Sequence, residues 1–198
     1  MTRADDRKKT GGKARGDQRI GPAEWVSAGL VLLAKEGIDA VRVEPLAVNL
    51  GVTKGSFYWH FKDRAALHAE MLRAWLGVGT GDIIEQVEAG GGTGAERLGR
   101  LVKLGTSNGK AARLETAIRT WARSDAKVAE ALGEVDRKRL DYVVKLLVAN
   151  GLKRDVSRMR AKLLYLALIG TFLTEPSAEL ETGPDDWRVF VHTILLPN

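Results

Sequence analysis

Residues 46–63 read LAVNLGVTKGSFYWHFKD. Apolar side chains recur through this stretch at helical spacing, and Gly51 interrupts them where a helix would end. The pattern resumes in a short helix over residues 54–60, on which Phe57 and Phe61 are four residues apart and share one face. The stretch therefore predicts two short helices joined by a tight turn, the second of them anchored by its phenylalanines.

The side of the second helix opposite the phenylalanines is expected to face solvent. Two short helices joined by a tight turn match the plan of a helix-turn-helix. In proteins with this motif, the N-terminal part of the second helix enters the major groove of DNA, where side chains read the base edges. The residues on this side are Lys54, Gly55, Ser56 and Trp59, and Gly55 would let the backbone approach DNA closely. Tyr58 and His60 lie at the flanks, where a hydroxyl and an imidazole can bind phosphates.

Helical periodicity continues along the rest of the chain, and no stretch alternates as a half-buried strand would. Capping and stop signals divide it into separate helices: Pro22 suits a first turn, Asp63 suits a cap, and Pro184 opens the last helix. We expect an all-α protein of about nine helices, over residues 22–36, 44–50, 54–60, 63–75, 95–107, 110–123, 125–149, 155–173 and 184–196.

Glycines predict where the chain divides into domains. Alternate glycines over residues 77–81 would loosen the end of the fourth helix, and the four glycines of residues 90–94 indicate a loop. We therefore expect a disordered arm over residues 1–20, a helix-turn-helix domain over residues 21–76 and a larger helical domain over residues 77–198.

The excess positive charge is concentrated at the N-terminus. The chain has 31 Lys and Arg against 25 Asp and Glu, a net charge of +6, and residues 1–20 hold seven basic and three acidic side chains. Such an arm is suited to bind DNA phosphates or the minor groove. The alternative is a solubilising tail without contacts to DNA, and the sequence leaves both open.

Composition argues against several classes of protein. Without cysteine there is no disulfide and no thiolate metal site, and three histidines without metal-ligand spacing predict no metal centre. No apolar run is long enough to span a membrane, and no apolar segment of a secretory signal follows the basic N-terminus, so we expect a cytoplasmic protein. The glycines of residues 77–81 lack the surroundings of a phosphate-binding loop, and hydrolase motifs are absent. We expect no enzymatic activity and no cofactor.

The string GVTKGSFYWHF, residues 51–61, closely resembles the signature of the tetracycline-repressor (TetR/AcrR) family of transcription regulators. The detailed resemblance covers residues 22–75, and the helical plan and the length of 198 residues are similar to the family beyond that range. The resemblance implies a sequence-specific repressor that a small-molecule ligand releases from its operator. It also implies a homodimer that binds palindromic double-stranded DNA.

Residue roles are implied by the resemblance only where this sequence matches the family's motif. Phosphate contacts are implied for Thr53, Tyr58, His60 and Arg64, and base contacts for Lys54, Gly55, Ser56 and Trp59. The family often has Thr or Ser where this chain opens its second helix with Arg42 and Val43. Arg42 can bind a phosphate there instead, but we expect the N-terminal cap to be lost.

In this family the larger domain encloses a small-molecule pocket and forms the dimer interface. The resemblance places Arg119, Trp121 and Tyr142 on helices that would line the pocket for an unknown effector, although each can equally be a core or surface residue. The alternative is a ligand-independent DNA-binding regulator whose C-terminal bundle serves only dimerisation. A closed apolar cavity with converging polar groups would favour the repressor that senses a ligand.

Two apolar helices near the C-terminus predict how the chain assembles. Residues 163–173 are apolar nearly all round, so this helix must be covered on more than one side, and residues 187–195 carry an apolar stripe. We expect the two helices to pair with their copies across a two-fold axis.

Overall fold

The computed structural model describes residues 20–77, 79–174, 180 and 182–196. Over these residues the chain forms ten α-helices and one short 3-10 turn, with no strand. This confirms the all-α class. None of the described helices is both long and apolar enough to cross a membrane. The predicted basic arm, except for Ile20, lies outside the described residues.

The first four helices form the N-terminal unit. They are α1 (Pro22–Glu36), α2 (Val43–Leu50), α3 (Lys54–Tyr58) and α4 (Arg64–Gly77), and a 3-10 turn over Ile38–Ala40 joins the first two.

Gly51 makes the tight turn that follows α2. Its φ of +67° is left-handed, a conformation that residues with a side chain rarely adopt. The amide of Val52 donates to the carbonyl oxygen of Ala47 at 3.0 Å and closes the end of the helix. Asp63 caps α4 as predicted, because its Oδ1 accepts from the amide of Ala66 at 2.8 Å.

Six helices follow: α5 (Thr80–Ala89), α6 (Gly94–Thr106), α7 (Gly109–Ala122), α8 (Ala126–Ala149), α9 (Arg154–Leu173) and α10 (Pro184–Leu195). The sequence did not predict α5, because alternate glycines over residues 77–81 indicate one loosened helix end and do not by themselves indicate a boundary between two helices. The glycines end α4 at Gly77, but Ile83 and Val87 recur at helical spacing and Val87 is fully buried. A second core therefore orders this segment.

Two hydrophobic cores organise the described residues. The first combines α1–α4 with parts of α7 and α8, so that Trp25, Phe57 and Met71 share a cluster with Ile118 and Trp121. The second lies among α5, α6, α8, α9 and α10. The helix-turn-helix unit is thus joined to the larger domain by a common core as well as by the chain that leaves α4.

Candidate nucleic-acid interface and ligand cavity

Phe57 anchors α3 against the rest of the N-terminal unit. Its ring is fully buried, meets the ring of Trp25 edge-on at 5.3 Å between centroids, and stacks on Phe61 at the same distance. Aromatic contacts of this kind fix the rotation of a helix as well as its position. The predicted anchoring by Phe57 and Phe61 is therefore present.

The opposite side of α3 faces solvent. Lys54 and Gly55 are exposed, Ser56 is half-buried, and the side chain of Trp59, which directly follows α3, is 87% exposed. An indole in water is unusual, since large aromatic side chains are mostly buried in folded proteins. These four residues stand where the sequence placed them, on a face with no partner in the described chain except at Lys54.

The predicted phosphate-binding residues surround this face. Thr53 is exposed at the N-cap of α3, but its hydroxyl makes no capping hydrogen bond there. Tyr58 is 54% exposed, and Arg64 is exposed at the first residue of α4. Arg42 is exposed at the N-cap of α2 and its side chain does not cap the helix, which agrees with the expected loss of the cap.

Lys54 is held by a residue that the sequence did not single out. Its Nζ donates a hydrogen bond to Oε1 of Glu44, in the first turn of α2, and both side chains are more than half exposed. The hydrogen bond from Lys54 holds the pKa of Glu44 below its usual value, and the same bond raises the pKa of Lys54. A sequence signal for the pair was absent, because ten residues and a turn separate its members.

His60 is connected to the start of the described chain. Its Nε2 lies 2.9 Å from the carbonyl oxygen of Ile20, and since a carbonyl only accepts, Nε2 is the protonated nitrogen of the ring. The imidazole therefore holds the backbone of Ile20, the first described residue, beside the end of α3. The contact joins Ile20 to His60, one of the residues predicted to bind phosphates.

The larger domain contains a partly open cavity of about 340 Å³. Its walls come from α5–α10 and are mainly aliphatic and aromatic, with Ile83, Leu101, Leu168 and Phe172 among them. Small-molecule sites in proteins are typically concave, mostly apolar and of this size or larger.

One polar cluster lies at the cavity wall. Glu115 is only 6% exposed, and its Oε1 accepts from Nη1 of Arg139 at 2.9 Å and from Nη2 of Arg119 at 2.8 Å. Tyr165 donates to Oδ1 of Asp136 at 2.7 Å and accepts from both arginines. Five side chains from α7, α8 and α9 thus form one connected network.

Neighbouring charges keep this network ionised despite its burial. Burial alone would lower the pKa of each arginine. For Arg119, the hydrogen bond to Asp136 and the charge of Glu115 raise the pKa overall. For Arg139, the charge of Glu115 raises the pKa overall. Burial would raise the pKa of Asp136, but hydrogen bonds from Arg119 and Tyr165 lower it overall. Burial raises the pKa of Tyr165 to about 12, so the phenol stays neutral.

The three predicted pocket residues have different surroundings. Tyr142 lines the cavity, and its hydroxyl donates to Oε1 of Glu88 at 2.8 Å. Arg119 lies behind the wall and supports Glu115 and Tyr165. Trp121 does not line the cavity. It belongs to the first core, where its ring meets His68 edge-on at 5.4 Å, because the turn of α7 that carries it faces the N-terminal unit.

Sequence reasoning missed the residues that contribute the polar wall of the cavity. Glu115, Arg139 and Tyr165 come from three helices and are separated by at least 24 residues along the chain. The only signal in the sequence was a carboxylate at position 115 on an otherwise inward-facing side of α7, four residues before Arg119.

An apolar stripe runs along the exposed side of α9. Met159, Leu163, Leu166 and Leu173 are each more than half exposed, and their spacings of 4, 3 and 7 residues put them on one side of the helix. Val189 on α10 is 62% exposed.

Comparisons with known proteins agree with this architecture. Residues 26–71 match the model of the family described as bacterial regulatory proteins, tetR family. No curated protein matches the chain. Among solved structures, a transcriptional regulator from Rhodococcus sp. Rha1 is similar at 19% identity and a TM-score of 0.67, over 89% of this chain and 94% of its own.

Two further structures show the same fold. A TetR transcriptional regulator from Legionella pneumophila is 14% identical with a TM-score of 0.67, over 86% of this chain and 93% of its own. The transcriptional regulator FadR from Bacillus subtilis, in complex with stearoyl-CoA, is 17% identical with a TM-score of 0.58, over 87% and 95%. The family match thus identifies residues 26–71 as a regulatory domain of the tetR family, and the described chain has the fold of solved transcriptional regulators.

Proposed function

We propose that the chain is a repressor that binds a palindromic operator as a homodimer and leaves it when a small-molecule ligand binds. In this proposal residues 21–76 bind DNA, and residues 77–198 bind the ligand and form the dimer. The protein acts in the cytoplasm, with its DNA, and has no catalytic role.

The observation that carries the DNA-binding proposal is the outward face of α3. Phe57 fixes the rotation of the helix, so Lys54, Gly55 and Trp59 are presented together to solvent. Side chains with this placement can enter a major groove and meet base edges. Base contacts are proposed for Lys54, Gly55, Ser56 and Trp59. Phosphate contacts are proposed for Arg42, Thr53, Tyr58, His60 and Arg64.

The exposed stripe of α9 supports the dimer. Monomeric proteins rarely leave a row of large aliphatic side chains in water, so a row of four on one helix indicates a contact surface. A two-fold axis would bring this stripe and Val189 of α10 against the same residues of a second copy. Such a dimer presents two α3 helices, which must be about 34–36 Å apart or a multiple to meet successive major grooves.

The cavity favours a regulator that senses a ligand over one with a purely structural C-terminal domain. A bundle that served only dimerisation would gain stability by filling this space, since voids destabilise a core. The chain instead keeps it open and places a buried carboxylate, Glu115, at its wall. FadR, which has a similar fold, was crystallised in complex with stearoyl-CoA, so a protein of this architecture can hold a ligand.

Selection from a pool of random duplex DNA tests the DNA-binding part. We expect the full chain to enrich one sequence with two-fold symmetry, whose half-sites are centred about one DNA turn or a multiple apart. Enrichment of no sequence would contradict a sequence-specific regulator. Enrichment of a sequence without symmetry would contradict the dimer.

Native mass spectrometry of the purified protein tests the other two parts. We expect the mass of two chains, and a retained small molecule in preparations from cells that make the ligand. A solely monomeric species at micromolar concentration would contradict the dimer. A cavity that takes up no small molecule under any growth condition, with DNA binding intact, would favour the ligand-independent alternative.

A further inference from the structure

Among the described residues, the lining of the cavity is mainly apolar and its charged groups lie together at one place. Of its polar lining residues, Asn108 and Ser107 bond to the backbone of α6 and α7, with Asn108 Oδ1 accepting from the amide of Ala111 at 3.1 Å. Tyr142 donates to Glu88. Thr80 accepts a hydrogen bond from Arg139, and Gln86 on α5 adds an uncharged amide to the wall. Glu115, Arg139 and Tyr165 are joined in the network described above, so a ligand in this cavity meets one cluster of charged groups in mainly apolar surroundings.

The charges of this cluster balance without a ligand. Arg119 and Arg139 contribute two positive charges, and Glu115 and Asp136 contribute two negative charges, all within direct hydrogen-bonding contact. A carboxylate added to the cavity would bring a third negative charge against Glu115. An ammonium group would bring a third positive charge against Arg139. Either ion would be left without a counter-charge in surroundings of low polarity, where unpaired charges are strongly disfavoured.

The cluster still has hydrogen-bonding capacity on both sides. Arg139 donates from Nε to Thr80 at 3.1 Å and from Nη1 to Glu115 and Tyr165, while Nη2 donates to none of the described residues. Glu115 accepts both arginines at Oε1, and none of the described residues donates to Oε2. A donor and an acceptor on two cavity-lining residues are thus left for a ligand.

We propose that the cavity takes an uncharged ligand with an apolar body and a head that both donates and accepts hydrogen bonds, a primary amide being the simplest. The proposal rests on the ligand-sensing function proposed above and adds the class of ligand. The amide N–H donates to Glu115, the amide oxygen accepts from Arg139, and the alkyl chain packs among the aliphatic walls.

Three probes of equal chain length separate charge from shape. We would measure the dissociation constants of octanamide, octanoate and octylammonium for the full chain at neutral pH by isothermal titration calorimetry. Octanamide should bind at least about tenfold more tightly than either charged probe. Octanoate or octylammonium binding as tightly as octanamide would overturn the proposal, and so would the absence of binding by all three.

Replacing Glu115→Gln tests the charge balance itself. The variant keeps the shape of the side chain but leaves the cluster with one net positive charge, so the preference should shift toward octanoate by about tenfold relative to octanamide. Glu85→Gln, an exposed site on α5, makes the same charge change outside the cavity and should leave the order of the probes unchanged. An unchanged order in folded Glu115→Gln would overturn the proposal.

A second variant covers the case in which Glu115→Gln does not fold. Ala112→Leu adds three carbons to a residue of the cavity wall and should abolish octanamide binding while circular dichroism shows an unchanged helical content. Retained binding would put the probe elsewhere and overturn the proposal. The same preparations are tested for binding to duplex DNA. If wild type shows no sequence-specific binding, the proposed function is contradicted. If wild type binds DNA but the three probes do not bind in the expected order, only the proposed class of ligand is contradicted.

Discussion

Lys54 and Glu44 form an ion pair that joins the first residue of α3 to the first turn of α2. Lys54 is a proposed base-reading residue, so in the free protein its ammonium group is already engaged. To bind DNA, Lys54 must either leave the carboxylate of Glu44 or bind this carboxylate and the DNA at the same time. Glu44 also brings a negative charge to the surface that we propose faces the phosphates, where this charge would oppose sequence-independent binding.

Glu44→Gln should raise the affinity for duplex DNA of any sequence. The change releases Lys54 and removes one repulsive charge, and the gain should be larger for scrambled DNA than for the selected sequence, so the specificity ratio falls. Fluorescence anisotropy at several salt concentrations measures both affinities. Glu134→Gln, an exposed carboxylate on α8, is the matched control and should change neither. An unaltered specificity ratio in Glu44→Gln would show that the pair has no part in discrimination.

Gly55→Ala should weaken DNA binding without destabilising the protein. A Cβ at this position would lie 3.6 Å from Oγ1 of Thr53, an ordinary contact, and alanine stabilises a helix by up to about 1 kcal/mol over glycine. We expect a loss of DNA affinity of about tenfold. Because the protein is not destabilised, this loss would come from the added Cβ, which keeps the backbone of α3 from approaching DNA. Gly133→Ala in α8, where an added Cβ meets nothing within 4 Å, is the control for helix stabilisation. Wild-type affinity in Gly55→Ala would mean that DNA does not approach this backbone.

Tyr165→Phe should lower the free energy of unfolding by about 1–3 kcal/mol at neutral pH, because Asp136 and two arginines lose a buried partner. Burial raises the folded-state pKa of Tyr165 from 10.0 to about 12. A raised pKa gives a stabilisation that is complete below pH 10 and is lost as the pH rises to about 12. Urea denaturation over this range should show the difference between wild type and variant shrinking above pH 10. A constant difference would contradict the assignment.

Gly79→Ala and Gly81→Ala should have opposite effects on stability, although both positions are open to an added Cβ. Gly79 has a φ of +117° between α4 and α5, so alanine there should destabilise the protein by about 1–3 kcal/mol. Gly81 lies in the first turn of α5, where alanine should stabilise it by up to about 1 kcal/mol. Equilibrium urea denaturation of both variants provides the comparison. Equal shifts would contradict the helix boundary at Gly79.

The elements that the sequence predicted best are those with local signals. Gly51 and Asp63 act through neighbours a few residues away, and Phe57 shares its side of the chain with Phe61 four residues on, so the turn, the anchored helix and the cap of α4 were all predicted correctly. The helix α5 was missed because three alternate glycines gave one signal for three different places: Gly77 ends a helix, Gly79 forms a turn, and Gly81 lies inside the next helix.

The contacts of the candidate sites depend on packing and had no local signal. Lys54 meets Glu44 only after the turn at Gly51 folds the two helices together. Trp121 was expected in the cavity because α7 contributes to its wall, but the rotation of α7 turns Glu115 toward the cavity and Trp121 toward His68. A sequence places a residue on a helix, whereas the neighbours of that helix decide which space the residue faces.

If α3 reads the DNA sequence, as we propose, two variants near this helix should differ in their specificity ratio. The ratio compares the affinity for the selected duplex with that for a scrambled duplex at one salt concentration. Lys54→Ala should reduce this ratio by about tenfold or more, because a base contact is lost. Tyr58→Phe should weaken both duplexes equally and leave the ratio unchanged, because it loses a phosphate contact. A wild-type ratio in Lys54→Ala would contradict the assignment of α3 as the helix that reads the sequence.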